Sequence, residues 1–242
     1  MITLTMRDFS QELMDGTEPI IVSDGLAEWP AFKVWSPQFL ASVVGSRLVD
    51  VSVSLTGAFR HLPDGSAADP ANQFVIRRVA MLDAVEYIED ELLPQPKYYI
   101  AQQDIARDLP ELLRYLRFPR PICSSRINLW FGSSGTVTPL HFDMSHNLYA
   151  QIYGSKRFRI YAPADKPYLY PYPECSRLSH LSHVDAETPD FKAYPLLANA
   201  REISFVLTAG QLLFLPAFWW HHVRAESVAI SASQWWFGQT QS

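Results

Sequence analysis

The chain has 242 residues, of which 48% are hydrophobic, 13% aromatic and 19% charged, a composition that buries a sizeable core and excludes a disordered chain. Eighteen prolines against ten glycines interrupt it too often for a helical bundle or a long coiled coil. The formal charge of −5 counts against a generic nucleic-acid binder, which needs a basic surface.

At the N-terminus, Arg7 and Asp8 stand where a signal peptide needs an apolar stretch. Asp8 to Met14 and Ser36 to Val44 carry helical patterns, each opening near a Ser or Asp able to cap it. Pro19 to Ser23 and Leu48 to Leu55 read as strands. Thr56 to Asn72 is rich in Gly, Pro, Asp and Ser and reads as an exposed loop, the kind of segment that borders active sites. Met81 to Leu92 has helical periodicity with an acidic outer face, Tyr98 to Gln102 reads as a strand, and Ala106 to Leu116 as a further helix.

From Ile127 the texture becomes β-type: INLWF, TPLHFD, NLYAQIY, KRFRIYA, a long polar loop, then EISFVL, QLLFLP, WWHHVRA and VAISASQWWF. Eight closely spaced strands indicate a sandwich, barrel or jelly roll. The expected fold is mainly β with α elements, a single domain in which residues 1–125 form an N-terminal α/β elaboration and residues 126–242 the β core. Cys123 and Cys175 are too few for a disulfide-built scaffold or a cysteine-ligated zinc site. The longest apolar run, Leu212 to Trp220, contains Pro216 and reaches about half of the roughly 20 residues that cross a bilayer. A cytoplasmic protein with no membrane partner is expected.

Three segments carry chemistry. In TPLHFDMS, His141 and Asp143 are two apart, so on a strand both project from one face while Phe142 turns away. An imidazole and a carboxylate on one face, completed by a distant histidine, form the facial triad that holds iron(II) with open positions. The alternative is a strand-end histidine bonded to a neighbouring carboxylate. The third ligand would come from LPAFWWHHVRA, where alternation lets only one of His221 and His222 face the site, and parity does not choose between them. In KRFRIYA, alternation puts Lys156, Phe158 and Ile160 on one face. An ammonium there needs an internal carboxylate, a bound anionic ligand or an exit to water. A dicarboxylate that chelates the metal at one end and meets the lysine at the other satisfies both demands.

TPLHFD, NLYAQIYGSKRFRIYAP, YLYPYP, GQLLFLPAFWWHHV and ISASQWW, in that order, resemble the Jumonji-C family of iron(II)- and 2-oxoglutarate-dependent oxygenases. PIIVSDGLAEWPAFKVWS and YYIAQQDIARDLPELLRYLRFP are similar to the upstream part of its small hydroxylase branch, so nearly the whole chain is covered. That branch includes arginyl and lysyl hydroxylases, the asparaginyl hydroxylase called factor inhibiting HIF and a tRNA wybutosine hydroxylase.

The resemblance implies a cupin-like double-stranded β-helix with His141, Asp143 and His221 as metal ligands. It also implies that Lys156, helped by Thr138 and Tyr99, meets the distal carboxylate of 2-oxoglutarate, with Asn147 near its metal-binding end and Trp130 and Ser233 beside the co-substrate. Ser233 departs from the pattern, since many relatives have Asn there. After QWWFGQTQS nothing corresponds to the C-terminal helices of factor inhibiting HIF, so its dimer mode is not expected.

The reaction implied consumes O2 and 2-oxoglutarate, releases succinate and CO2 and hydroxylates an amino-acid side chain (Arg, Lys, Asn or similar) of a protein or peptide. The acidic balance suits a basic partner. Alternatives are hydroxylation of a small metabolite, a natural-product peptide or a tRNA base, N-demethylation of methyl-lysine, and a non-catalytic cupin-like binding protein.

Overall fold

The computed structural model describes residues 1–10, 13–14, 16–59, 74–90, 96–119 and 125–237. The elements run β1 (Ile2–Leu4), β2 (Ile20–Val22), α1 (Pro30–Val34), α2 (Pro37–Val44), β3 (Leu48–Ser54), β4 (Phe74–Ala80), α3 (Met81–Glu89), β5 (Lys97–Asp104) and α4 (Ile105–Asp108). Eight more strands follow: β6 (Arg126–Gly132), β7 (Val137–Phe142), β8 (His146–Tyr153), β9 (Ser155–Tyr161), β10 (Ile203–Thr208), β11 (Leu212–Leu215), β12 (Trp220–Ala225) and β13 (Ala229–Trp236).

Two sheets result, a large one ordered β1-β2-β11-β8-β13-β6-β5-β3-β4 and a small one ordered β10-β9-β12-β7. From β6 onward the chain passes back and forth between them, with β6, β8, β11 and β13 in the large sheet and β7, β9, β10 and β12 in the small. That alternation is the double-stranded β-helix. The earlier strands lengthen the large sheet at both edges rather than forming a sheet of their own.

The inner strands of the large sheet, β2, β6, β8, β11 and β13, are buried on both faces, which is why they read as near-continuous apolar runs. In β8, Leu148, Ala150 and Ile152 face outward into one apolar cluster that also holds Trp29, Ala31 and Trp35 at α1 and Leu40, Val44, Ala84 and Ile88 of α2 and α3. Tyr149, from the other face of the strand, packs inward with Phe158, Ile160, Leu213 and Leu215. Each fully buried Leu, Ile or Phe contributes roughly 1.5–3 kcal/mol. Leu140, Tyr161 and Trp220 form a third cluster on the outside of the small sheet, covered by Leu169, Val184 and Leu197 from the long segment between β9 and β10.

The helix over Ser36 to Val44 forms as expected: the Ser36 hydroxyl accepts from the Phe39 amide at 3.1 Å, and Pro37 occupies the first helical position. Two other helices do not. Within Asp8 to Met14 the described residues form a turn and a short 3-10 pair. The N-terminal order comes instead from β1, which the sequence reading omits and which pairs in parallel with β2. Ala106 to Leu116 divides into the single turn α4 and a 3-10 segment, Pro110–Tyr115. Leu109 has φ −136°, and Pro110 supplies no amide to carry the helix through. Strand β4 and helix α1 were also unforeseen. Most of the Thr56 to Asn72 loop, Cys123 and the end of the Met81 to Leu92 segment lie outside the described residues. Among the described residues no helix is long and apolar enough to cross a membrane.

Candidate active site

His141 lies in β7, Asp143 follows that strand, and His221 lies in β12 directly opposite His141. One ligand atom from each of the three falls within 4.8 Å of the others. The imidazole centroids are 4.1 Å apart, and His221 Nε2 is 3.6 Å from Asp143 Oδ2. His141 Nδ1 lies 2.7 Å from the Pro139 carbonyl oxygen, and His221 Nδ1 lies 3.0 Å from that of Trp219. Those carbonyls only accept, so each Nδ1 carries the proton and each Nε2 keeps its lone pair for a metal. Burial, reinforced by His141 alongside, lowers the pKa of His221 to about 4, so its ring is neutral at physiological pH. Asp143 is held as well, its carbonyl accepting from the Phe218 amide at 2.7 Å.

His222 points through the opposite face of β12, toward a separate polar cavity of about 370 Å³ that Glu187 and Arg224 also line. Its Nε2 is 3.4 Å from Glu187 Oε1. Pairing between β7 and β12 therefore decides what local parity leaves open: His221 faces the site.

Thr138 is three residues before His141, and plain alternation would send it the other way. From Thr138 to His141, β7 takes three steps where β12 takes two between Val223 and His221. The extra residue is a β-bulge, and Pro139, with no N–H to give the ladder, sits in it. The bulge reverses the alternation, so Thr138 shares a hydrogen bond with the Tyr99 hydroxyl inside the barrel. A second bulge in β5, between Ile100 and Gln103, carries Gln102 at φ +53°. Gly132 in β6 gives the Tyr99 ring room, since a Cβ there would stand 2.7 Å from Tyr99 Cδ2.

Lys156 is 2% exposed and faces this interior. Its Nζ donates to the Tyr149 hydroxyl at 2.8 Å and lies 5.4 Å and 5.5 Å from the ring centroids of Tyr99 and Tyr149. Among the described residues no carboxylate pairs with it. Burial lowers its pKa to about 7 and raises those of both tyrosines. The polar groups around it are paired: Tyr149 with Ser231, and Ser231 with Gln151 at 2.9 Å. Ser233 accepts from the Trp130 indole N–H at 2.8 Å.

A cavity of about 380 Å³ opens onto the cluster, lined by Phe59, Phe74, Tyr99, Trp130 and Thr138 together with His141 and Asp143. All nine residues singled out from the sequence thus lie on the barrel interior or at its mouth. Phe59, Phe74 and Asn128 escaped that reading. Asn128 was open to it, because INLW sets it two residues before Trp130 and hence on the same face.

The histidine–aspartate–histidine set fits iron(II) with open positions for further ligands, and a buried lysine without a carboxylate fits an anion brought in from outside. Residues 6–242 match the family of cupin-like domains. The chain is 31% identical over 239 residues to lysine-specific demethylase 8 of Xenopus tropicalis, a match covering 96% of this chain and 51% of that protein. It is 29% identical over 265 residues to the human bifunctional peptidase and (3S)-lysyl hydroxylase JMJD7, covering 96% and 81%. The tRNA wybutosine-synthesizing protein 5 of Gallus gallus is 28% identical over 251 residues, covering 96% and 74%. The chain spans little more than half the length of the demethylase relatives.

Proposed function

The chain belongs to the Jumonji-C branch of the cupin-like domain family, and we propose that it is an iron(II)- and 2-oxoglutarate-dependent oxygenase that hydroxylates an amino-acid side chain of a protein or peptide. The observation that carries this reading is the pairing of a preformed His141–Asp143–His221 cluster with Lys156, a buried amine on the same interior that has no carboxylate partner among the described residues. His141, Asp143 and His221 hold the metal. Lys156 and the Tyr99–Thr138 pair receive the distal carboxylate of 2-oxoglutarate, with Asn147 near the other end and Trp130 and Ser233 walling the pocket.

Iron and 2-oxoglutarate, when bound, supply with O2 the oxidising chemistry, releasing succinate and CO2. The protein supplies place and dryness. Backbone carbonyls lock the two imidazoles, paired hydroxyls keep the pocket shaped before anything binds, and the wall of Phe59, Phe74 and Trp130 excludes water from the reacting C–H.

A protein substrate is favoured by the names of the lysyl hydroxylase and demethylase relatives. Mass spectrometry of a diverse peptide library incubated with iron(II), 2-oxoglutarate and O2 tests the reading. A gain of one oxygen on wild-type treatment, absent with Asp143→Ala, supports it; no product and no succinate across the library overturns it. Demethylation of methyl-lysine uses the same site, and formaldehyde release in the same assay identifies it. We place the activity in the cytoplasm, on the low cysteine count and on Cys175, which is an exposed free thiol.

A further inference from the structure

Asn128 is completely buried in β6, two residues before Trp130 and so on the interior face. Among the described residues neither its amide oxygen nor its amide nitrogen has a hydrogen-bond partner. A buried carboxamide with both ends unsatisfied is rare in folded proteins and points to a partner that arrives with a ligand or a bound water.

Its neighbours share the condition. Asn128 pairs across the sheet with Ser233, and Trp235, two residues on along β13, pairs with Asn147 of β8. Asn147 Oδ1 and Trp235 Nε1 are also buried and have no partner among the described residues. Three adjacent strands thus carry three incomplete polar side chains: Asn147 and Trp235 share the row nearer Asp143, since β8 begins only three residues after it, and Asn128 lies one row further in, level with Ser233 and Tyr149. Around Lys156 the polar side chains are paired instead, Tyr149 with Ser231, Ser231 with Gln151, and Tyr99 with Thr138. Ser233, the residue facing Asn128 across the sheet, is already engaged by the Trp130 indole.

Resting on the oxygenase reading above, we propose that Asn128 is a further co-substrate-binding residue: its amide nitrogen donates to a carboxylate or keto oxygen of 2-oxoglutarate whose distal carboxylate Lys156 holds.

The test uses the purified full chain under anaerobic conditions, titrated with iron(II) and then 2-oxoglutarate, following the visible metal-to-ligand charge-transfer band. Asn128→Leu keeps the branched heavy-atom skeleton and removes both polar ends, and Asn128→Asp keeps the shape but puts a negative charge beside a carboxylate. The expected result is a Kd for 2-oxoglutarate raised about tenfold by Asn128→Leu and more by Asn128→Asp. Iron(II) affinity without 2-oxoglutarate stays within about threefold for Asn128→Leu, and the melting temperature of its apo form is unchanged or higher, because an unpaired buried amide has been replaced by an apolar group. A merely structural amide would give the reverse, a lower melting temperature with an unchanged Kd. A wild-type band with a Kd unaltered in both variants overturns this inference alone, and no band in wild type overturns the oxygenase reading with it. Should Asn128→Leu not fold, Asn128→Asp and Asn128→Ser decide by the same Kd comparison.

Discussion

Burial holds the Lys156 amine at a pKa of about 7 against an ordinary 10.5, so at pH 8 about nine-tenths of the free protein carries it neutral. A carboxylate arriving at Nζ favours the ammonium and lifts that value back. Binding of 2-oxoglutarate at pH 8 is therefore coupled to uptake of about 0.9 proton, and its apparent Kd weakens about fiftyfold between pH 7 and pH 9. His221, lowered to about 4, and Tyr99 and Tyr149, both raised, do not titrate in this window. Calorimetry of the anaerobic iron(II) protein in buffers of different ionisation enthalpy reads the proton directly. An affinity flat from pH 7 to 9, with uptake below about 0.2 proton, would refute the placement of a charged lysine at the carboxylate. The same amine sets a stability trend in the apo protein. Between pH 7 and 10.5 the unfolded chain holds a proton at this site that the folded chain lacks, so stability rises with pH across that range. At 1.36 kcal/mol per pH unit the full span corresponds to about 5 kcal/mol, an upper bound that local water entry reduces. Lys156→Met should accordingly be the more stable protein below pH 7, with its advantage vanishing toward pH 10.5.

His221→Ala should abolish iron(II) binding and turnover, whereas His222→Ala, one residue on but facing the outer cavity, should leave metal affinity within about tenfold; equal loss in both would contradict the strand register. Gly132→Ala drives a methyl toward Tyr99 Cδ2, with an expected cost of about 1–3 kcal/mol in chemical denaturation and a weaker Kd for 2-oxoglutarate. Stripping metal with a chelator should lower the melting temperature, because at a hundredfold excess over its Kd a bound ion contributes about 2.7 kcal/mol; no shift on readdition would count against a metal site. Trp130→Phe removes the indole donor to Ser233 and should cost about 1 kcal/mol in stability.

What could be read in advance follows the range of the forces involved. The period of two along a strand is local, so Lys156 facing inward and Phe142 facing away were legible from the alternation in KRFRIYA and TPLHFD. The choice between His221 and His222 was not, because it is made by pairing β12 with a strand about 80 residues earlier. Thr138 was legible only through resemblance: its inward turn depends on the bulge at Pro139, which breaks the alternation that a sequence reading assumes. At Ala106 to Leu116 the apolar spacing is helical, yet Pro110 was visible in the sequence and divides it.

The same contrast between local and assembled order runs through the pocket. The hydroxyls around Lys156 are already paired, so that end is fixed before any ligand arrives, and an incoming carboxylate there finds an amine that takes up a proton to meet it. At the metal end the imidazoles are fixed by backbone carbonyls, while among the described residues Asn147 Oδ1 and the Trp235 indole nitrogen, and one row further in the Asn128 amide, have no partner. A dicarboxylate long enough to reach both ends completes each without moving the strands. Binding then costs little reorganisation, and the affinity should depend on the charge state of Lys156 more than on any closure of the barrel.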